Sequence, residues 1–251
     1  MATQPIPSWY EGTNTTSTEI TSSSVVSYGQ VDADTVSPNK EMFFWNNRGG
    51  QTNVSKMEDV TFTVRDRNGG TGDTVGNIVE AVRDNWFEVK CDTLNENNFV
   101  PVGKGGSGTL NPSGVHGLGT TASTTNINAE SASVWVANTP YALGRYIKPT
   151  VDDGNIYMVT VAGTSDSAEP TWNTTEGLFT DDGTVKYVAV PIIKTPSENE
   201  ILGLANNTTA DGTNANLAGG NFVKFTTHVN VPISATSGLN PAAFRISWKF
   251  V

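Results

Sequence analysis

The chain has 251 residues, room for one large domain or two modest ones, with 36% apolar residues, 16% charged residues and a net charge of −10. With a pI near 4.6 and no cluster of Lys and Arg, the composition excludes a phosphate-gripping nucleic-acid surface. Thr, Ser, Asn and Gly fill the gap left by apolar and charged residues, as in strands and turns, while six Trp, ten Phe and six Tyr argue against wholesale disorder.

Residues 1–40 are polar and repetitive (TNTTSTEITSSSVV), with Trp9, Tyr10 and Tyr28 as isolated anchors. This predicts an extended N-terminal arm, either disordered or, as favoured for an assembly protein, pinned onto a neighbour. The opening MATQPIPSWYEG has no basic region followed by an apolar stretch, so it does not read as a signal peptide, and synthesis in the cytosol is expected. Met42-Phe43-Phe44-Trp45 followed by NNRGG predicts a strand closed by a turn. Val60, Phe62 and Val64 alternate with polar residues, a half-buried strand, and DRNGG (66–70) signals the next turn. Ile78, Val79 and Val82 suit one short helical turn. Phe87, Val89 and Cys91 alternate again, which makes the single cysteine a core thiol with no disulfide partner.

Residues 103–133 are rich in Gly, Ser and Thr and predict a linker, or a loop packed on another subunit. Ser197-x-x-Glu200 ahead of Ile201, Leu202 and Leu204 carries a capping-box signature for a short helix. At the C-terminus, Val223, Phe225, Val229 and Val231, then Phe244, Ile246, Trp248 and Phe250, alternate with polar residues, predicting two strands that form an antiparallel pair. An isolated hairpin is marginal in water, so the strands near 42–46, 60–65 and 86–91 are its natural partners. No apolar run approaches the ~20 residues of a membrane-spanning helix. The expected organisation is all-β: an arm (1–40), an antiparallel β-sandwich from 41–133 with 191–251, and an inserted small β-module at 134–190. Such an insertion costs little, because loop entropy grows slowly with length.

Val229-x-Val231-Pro232-x-Ser234-Ala235-x-x-Gly238, then Phe244-x-Ile246, resembles the last two strands of bacterial immunoglobulin-like domains, which implies a split immunoglobulin-like sandwich. The 134–190 segment carries Trp135, Tyr141-Ala142-Leu143-Gly144, Asp153-Gly154-Asn155-Ile156-Tyr157, Ala162-Gly163-Thr164-Ser165, Glu169-Pro170-Thr171-Trp172 and Asp182-Gly183-Thr184-Val185-x-Tyr187. It resembles a module of phage tail-fibre and other virion proteins, and is similar to small chitin- and cellulose-binding modules. It departs from them at Asp166, where the family often has Gly, and at Tyr187, where it often has Trp.

A sugar's C–H face stacks on an aromatic ring, which makes Trp135, Tyr141, Tyr146, Tyr157 and Trp172 the candidate glycan-contacting residues. Trp172, in a loop after Glu169-Pro170, leads and Tyr146 is second, since a unit of about 55 residues must spend some aromatics on its core. Asp152-Asp153 and Asp181-Asp182 lack the spaced acidic run of a calcium loop and read as turn formers. His116 and His228 have no zinc or triad motif beside them, and GKGGSG (103–108) lacks the Lys-Ser/Thr ending of a phosphate loop. No cofactor or metal is implied. The expectation is a non-enzymatic structural component of a phage virion, in tail, baseplate or head surface, with copies of itself and other virion proteins as partners. A host-glycan attachment protein acting through 134–190 is the alternative.

Overall fold

The computed structural model describes residues 3–12, 18–66, 79–104 and 111–250. The chain is all-β, 39% strand and 8% helix, in antiparallel sheets with, among the described residues, one short parallel pairing, Ser133–Val134 on Tyr146–Lys148. Among the described residues, the larger body has two sheets. One is ordered Thr18–Glu19, Pro7–Glu11, Lys40–Asn46, Phe222–Val231, Phe87–Cys91 and Val100–Val102, with Thr35–Val36 on the far end of Phe222–Val231. The other is ordered Ala242–Lys249, Glu58–Asp66 and His116–Gly117. Their facing residues form one apolar cluster. Phe62 sits at its centre, with ring centroids 5.1 Å from Phe225, 5.5 Å from Phe244 and 6.5 Å from Trp9.

The unbroken apolar run Met42-Phe43-Phe44-Trp45 is explained by burial on both faces. Met42 and Phe44 enter the main cluster, whereas Phe43 and Trp45 pack under residues 215–218 with Ala215 and Ala218. Arg48 closes that second cluster, 4.1 Å over the Tyr10 ring, its Nη2 donating to the Thr209 and Ala210 carbonyls. Cys91 is fully buried in the main cluster, and burial pushes its thiol pKa up.

Four expectations are corrected. The last two strands do not pair with each other: Phe222–Val231 is flanked by Lys40–Asn46 and Phe87–Cys91, and Ala242–Lys249 pairs with Glu58–Asp66 in the opposite sheet. The connection from Pro232 to Pro241 is too long for a tight hairpin, and its prolines have no N–H for a ladder. The arm is not free. Pro7–Glu11 runs antiparallel to Lys40–Asn46, Trp9 joins the main core, and Tyr28 crosses the sandwich end to donate or accept a 2.5 Å hydrogen bond with Thr227. The described part of the Gly-rich segment from 111 to 133 packs on its own chain: Leu118 is fully buried, and Thr124–Thr125 pairs with Ile193–Lys194; residues 105–110 lie outside the described residues. Around Ser197 the capping-box bond forms, Ser197 N donating to Glu200 Oε2 at 2.9 Å, but no helix follows. Ile201 instead bridges to Met57, and a Cβ on Gly203 would lie 2.5 Å from the Val54 carbonyl oxygen, so this segment lies backbone-to-backbone against 54–57. The short helical turn does form, at Glu80–Arg83; Ile78 and most of the 66–70 turn lie outside the described residues.

Residues 133–191 build a separate sheet, ordered Ser133–Val134, Tyr146–Lys148, Asn155–Val161, Val185–Pro191 and Phe179–Asp182, over a core cluster of its own. The chain enters and leaves this unit side by side, through the Thr124–Thr125/Ile193–Lys194 ladder. Buried asparagines fasten this neck. Asn126 N donates to the Ile192 carbonyl at 2.8 Å, and Asn221 Oδ1 accepts from Thr124 Oγ1 at 3.0 Å while its Nδ2 donates to Leu204 O at 2.8 Å. Each amide is satisfied, so burying it carries no unpaired-donor cost.

Candidate functional site

The inserted unit is too small for a purely aliphatic core and builds one from aromatic rings, most of whose polar ends are held by carboxylates, while the Tyr141 hydroxyl bonds the Val136 backbone. Register places Ile147, Tyr157 and Ala189 in one transverse row of the inner face, and Val159, Tyr187 and Thr180 in the next. Trp135 Nε1 donates to Asp182 Oδ2 at 2.8 Å, and the Tyr187 hydroxyl donates to the same oxygen at 3.3 Å. Asp182 Oδ1 accepts from the Asp166 N–H at 2.8 Å, which ties the 163–166 segment to the sheet. The Tyr157 hydroxyl donates to Asp153 Oδ2 at 2.6 Å. Burial first, and the adjacent carboxylates second, push the Tyr157 and Tyr187 phenols well above their ordinary pKa. Both rings are neutral donors throughout the working pH range. The Asp-Gly pairs thus do two jobs, shaping turns and ending the aromatic network. Close backbone approach fixes two glycines, since a Cβ at Gly163 would meet Thr184 O at 2.3 Å and one at Gly183 would meet Thr164 O at 2.4 Å.

This geometry sorts the five sequence candidates. Trp135, Tyr141 and Tyr157 are buried in the core of the unit and pack among its other rings. A core this small needed those rings more than a surface did. Trp172 is half-buried, 4.2 Å from the Tyr157 ring and 5.2 Å from Tyr187, its Nε1 donating to Glu169 Oε1 at 2.8 Å. It covers the core's edge and leaves part of one ring at the surface. Burial opposes charge on Glu169, but bonds from Thr150 and Trp172 outweigh it and hold the carboxyl below its ordinary pKa. Tyr146 is half-buried on the opposite face of the sheet, where burial raises its phenol pKa.

That opposite face was missed by the sequence reading. Tyr146 lies opposite Met158, Met158 opposite Val188, and Val188 opposite Phe179, so the four side chains form one row across four strands. Phe179 is 53% exposed. The signal was available: the two-residue turn Gly183-Thr184 pairs Asp182 with Val185, and counting outward pairs Phe179 with Val188.

Elsewhere, a cavity of about 1030 Å³ lies between residues 20–33 and the 235–244 connection, floored by Trp86, Phe87 and Phe244. His116 Nε2 lies 2.8 Å from Glu96, and His228 Nε2 lies 2.8 Å from Glu88 with its ring 3.9 Å from Phe99. Among the described residues, no group of three or more His, Cys, Asp and Glu side chains is placed to hold a metal ion, and no helix is long and apolar enough to cross a membrane. Compared with known proteins, the chain matches no family model, no curated protein and no solved structure.

Proposed function

We propose that the chain is a non-enzymatic structural component of a bacteriophage virion, a split immunoglobulin-like sandwich that presents residues 134–190 outward. The neck carries this reading. The inserted unit joins the larger body through two adjacent strands clasped by satisfied asparagines, so it is held at a set orientation rather than tethered by a flexible linker. A presented unit on a rigid stem suits a repeated particle surface, where every copy must point the same way. The likeness of 134–190 to tail-fibre modules supplies the phage context, and copies of the same chain and other virion proteins are the proposed partners. The test is mass spectrometry of purified particles combined with micrographs of particles labelled against this chain. Presence at a regular position supports the reading; a monomer in solution that is absent from particles overturns it.

Host-glycan attachment through 134–190 is the second reading, favoured by the half-exposed aromatic side chains Trp172, Tyr146 and Phe179 on this unit.

A further inference from the structure

We propose that the outer face of the inserted sheet, the row Tyr146–Met158–Val188–Phe179 with Lys148 and Lys186 beside it, binds an anionic glycan chain; this rests on the attachment reading above. The row has an aromatic ring at each end and an aliphatic floor between, the arrangement that meets the C–H faces of sugar rings. Three inter-strand spacings separate the end rings, about 14 Å, which suits a run of sugars rather than a single ring.

Charge selects the ligand class. The unit from 133 to 191 contains three cations, Arg145, Lys148 and Lys186, and seven carboxylates. Strand alternation sets Lys148 on the face of Tyr146 and Lys186 on the face of Val188. A single acid, Asp181, shares that face, 3.2 Å from Lys186. The other carboxylates lie in the turns and loops or, like Asp182, on the inner side. An acidic unit has therefore gathered its lysines on one aromatic-bearing side. The Lys186 ammonium is 5.5 Å over the Phe179 ring, and among the described residues the Lys148 ammonium, like that of Lys104, has no ion pair, whereas the lysines at 40, 56, 90, 186, 194, 224 and 249 each have at least one. An unpaired ammonium beside an aromatic row suits a sugar bearing a carboxylate or a phosphate.

The test uses the full chain against immobilised polygalacturonate (carboxylate), poly(ribitol phosphate) teichoic acid (phosphate) and neutral dextran, with intact host cells as a fourth arm. Binding to one of the two anionic polymers, weakened at least tenfold by Lys148→Gln and by Phe179→Ala and reduced by added salt, is the expected result; which polymer binds identifies the anion. Phe179 is exposed and Lys148 half-buried on the outer face, outside the inserted core, and unchanged hydrogen exchange in the Tyr157 and Tyr187 strands confirms a folded sheet. Equal binding by wild type and both variants overturns the proposal, as does binding to dextran alone. Cell binding lost with Trp172→Ala but kept with Lys148→Gln overturns this face and leaves the attachment reading standing. Absence of binding in all four arms overturns both. Self-association abolished by Phe179→Ala, without glycan binding, overturns the glycan and makes the face an interface between copies.

Discussion

The two cores of this chain solve burial differently. The larger body buries area: Phe, Trp, Met and Val from two sheets meet in one apolar cluster, and among the described residues the indole N–H groups of Trp9, Trp45 and Trp86 are buried without hydrogen-bond partners. The inserted unit has far less area and binds each core ring's polar end instead, Trp135 and Tyr187 to Asp182, Tyr157 to Asp153, Tyr141 to the Val136 backbone, and Trp172 to Glu169 at its edge. A large core tolerates an unpaired donor because its transfer energy is large. A small one gains stability and a unique packing from directional bonds that area alone does not provide. The comparison predicts that the larger body is most sensitive to lost volume and the inserted unit to lost acceptors.

Phe62→Ala is the largest expected effect. It empties the centre of the four-ring cluster with Trp9, Phe225 and Phe244 and should cost about 3–5 kcal/mol in denaturant unfolding of the larger body. Hydrogen exchange in the Tyr157 and Tyr187 strands should stay protected. Loss of protection in both regions together would break the comparison, because the two cores would then unfold as one. Asp182→Ala comes next. It strands the Trp135 indole and the Tyr187 hydroxyl, at about 1–3 kcal/mol for each buried donor left unpaired, and releases the Asp166 amide to solvent. The same exchange experiment should show the inserted sheet opening while the Phe222–Val231 ladder holds.

A paired substitution sharpens the contrast further. Trp135 and Trp86 are comparably buried, but only the Trp135 Nε1 has an acceptor. Trp→Phe removes the same atoms at both sites, so the difference between the two costs isolates the indole hydrogen bond. Trp135→Phe should be the more destabilising by about 1 kcal/mol, measured as the change in opening free energy of its own region. Equal costs would mean that packing alone decides in both cores.

Much of the larger body was legible because period-2 alternation marks a half-buried strand: Val60-x-Phe62-x-Val64, Phe87-x-Val89-x-Cys91 and Val223-x-Phe225 all lie where alternation puts them. Alternation tells which face is buried and says nothing about which strand lies alongside, so Phe222–Val231 and Ala242–Lys249 were wrongly paired with each other. Pro7–Glu11 escaped because five residues in a polar stretch are too few for a periodic signal, and its partner begins at Lys40. In the inserted unit the motif residues were legible but their direction was not. Asn155–Val161 is apolar on both faces, so Met158 could not be told from Tyr157 by pattern, and the motif's aromatics turned out to be mostly core. The outer row needed register, which only the Gly183-Thr184 turn encodes.

The smallest predicted effect concerns acid, and it tests whether the two regions respond separately. Glu88 in the larger body is held below its ordinary pKa of 4.5, first by the bond from His228, then against burial and with help from Asn230. Glu169 in the inserted unit is held below the same value, where bonds from Thr150 and Trp172 outweigh burial. A carboxyl whose pKa is lower folded than unfolded stabilises the fold above the unfolded value, and that stabilisation drains away as pH falls through the folded one. Both regions should therefore weaken below about pH 4.5. Glu169→Gln should flatten the acid limb of the inserted sheet's exchange-derived stability and leave the limb of the Phe222–Val231 ladder unchanged; Glu88→Gln should do the reverse. The Glu169 effect should be the weaker, because its carboxylate sits at the unit's rim, where solvent screens it. If either substitution moves both limbs, the neck transmits stability between the cores, and the buried Asn126 and Asn221 become the residues through which the two regions share one unfolding event.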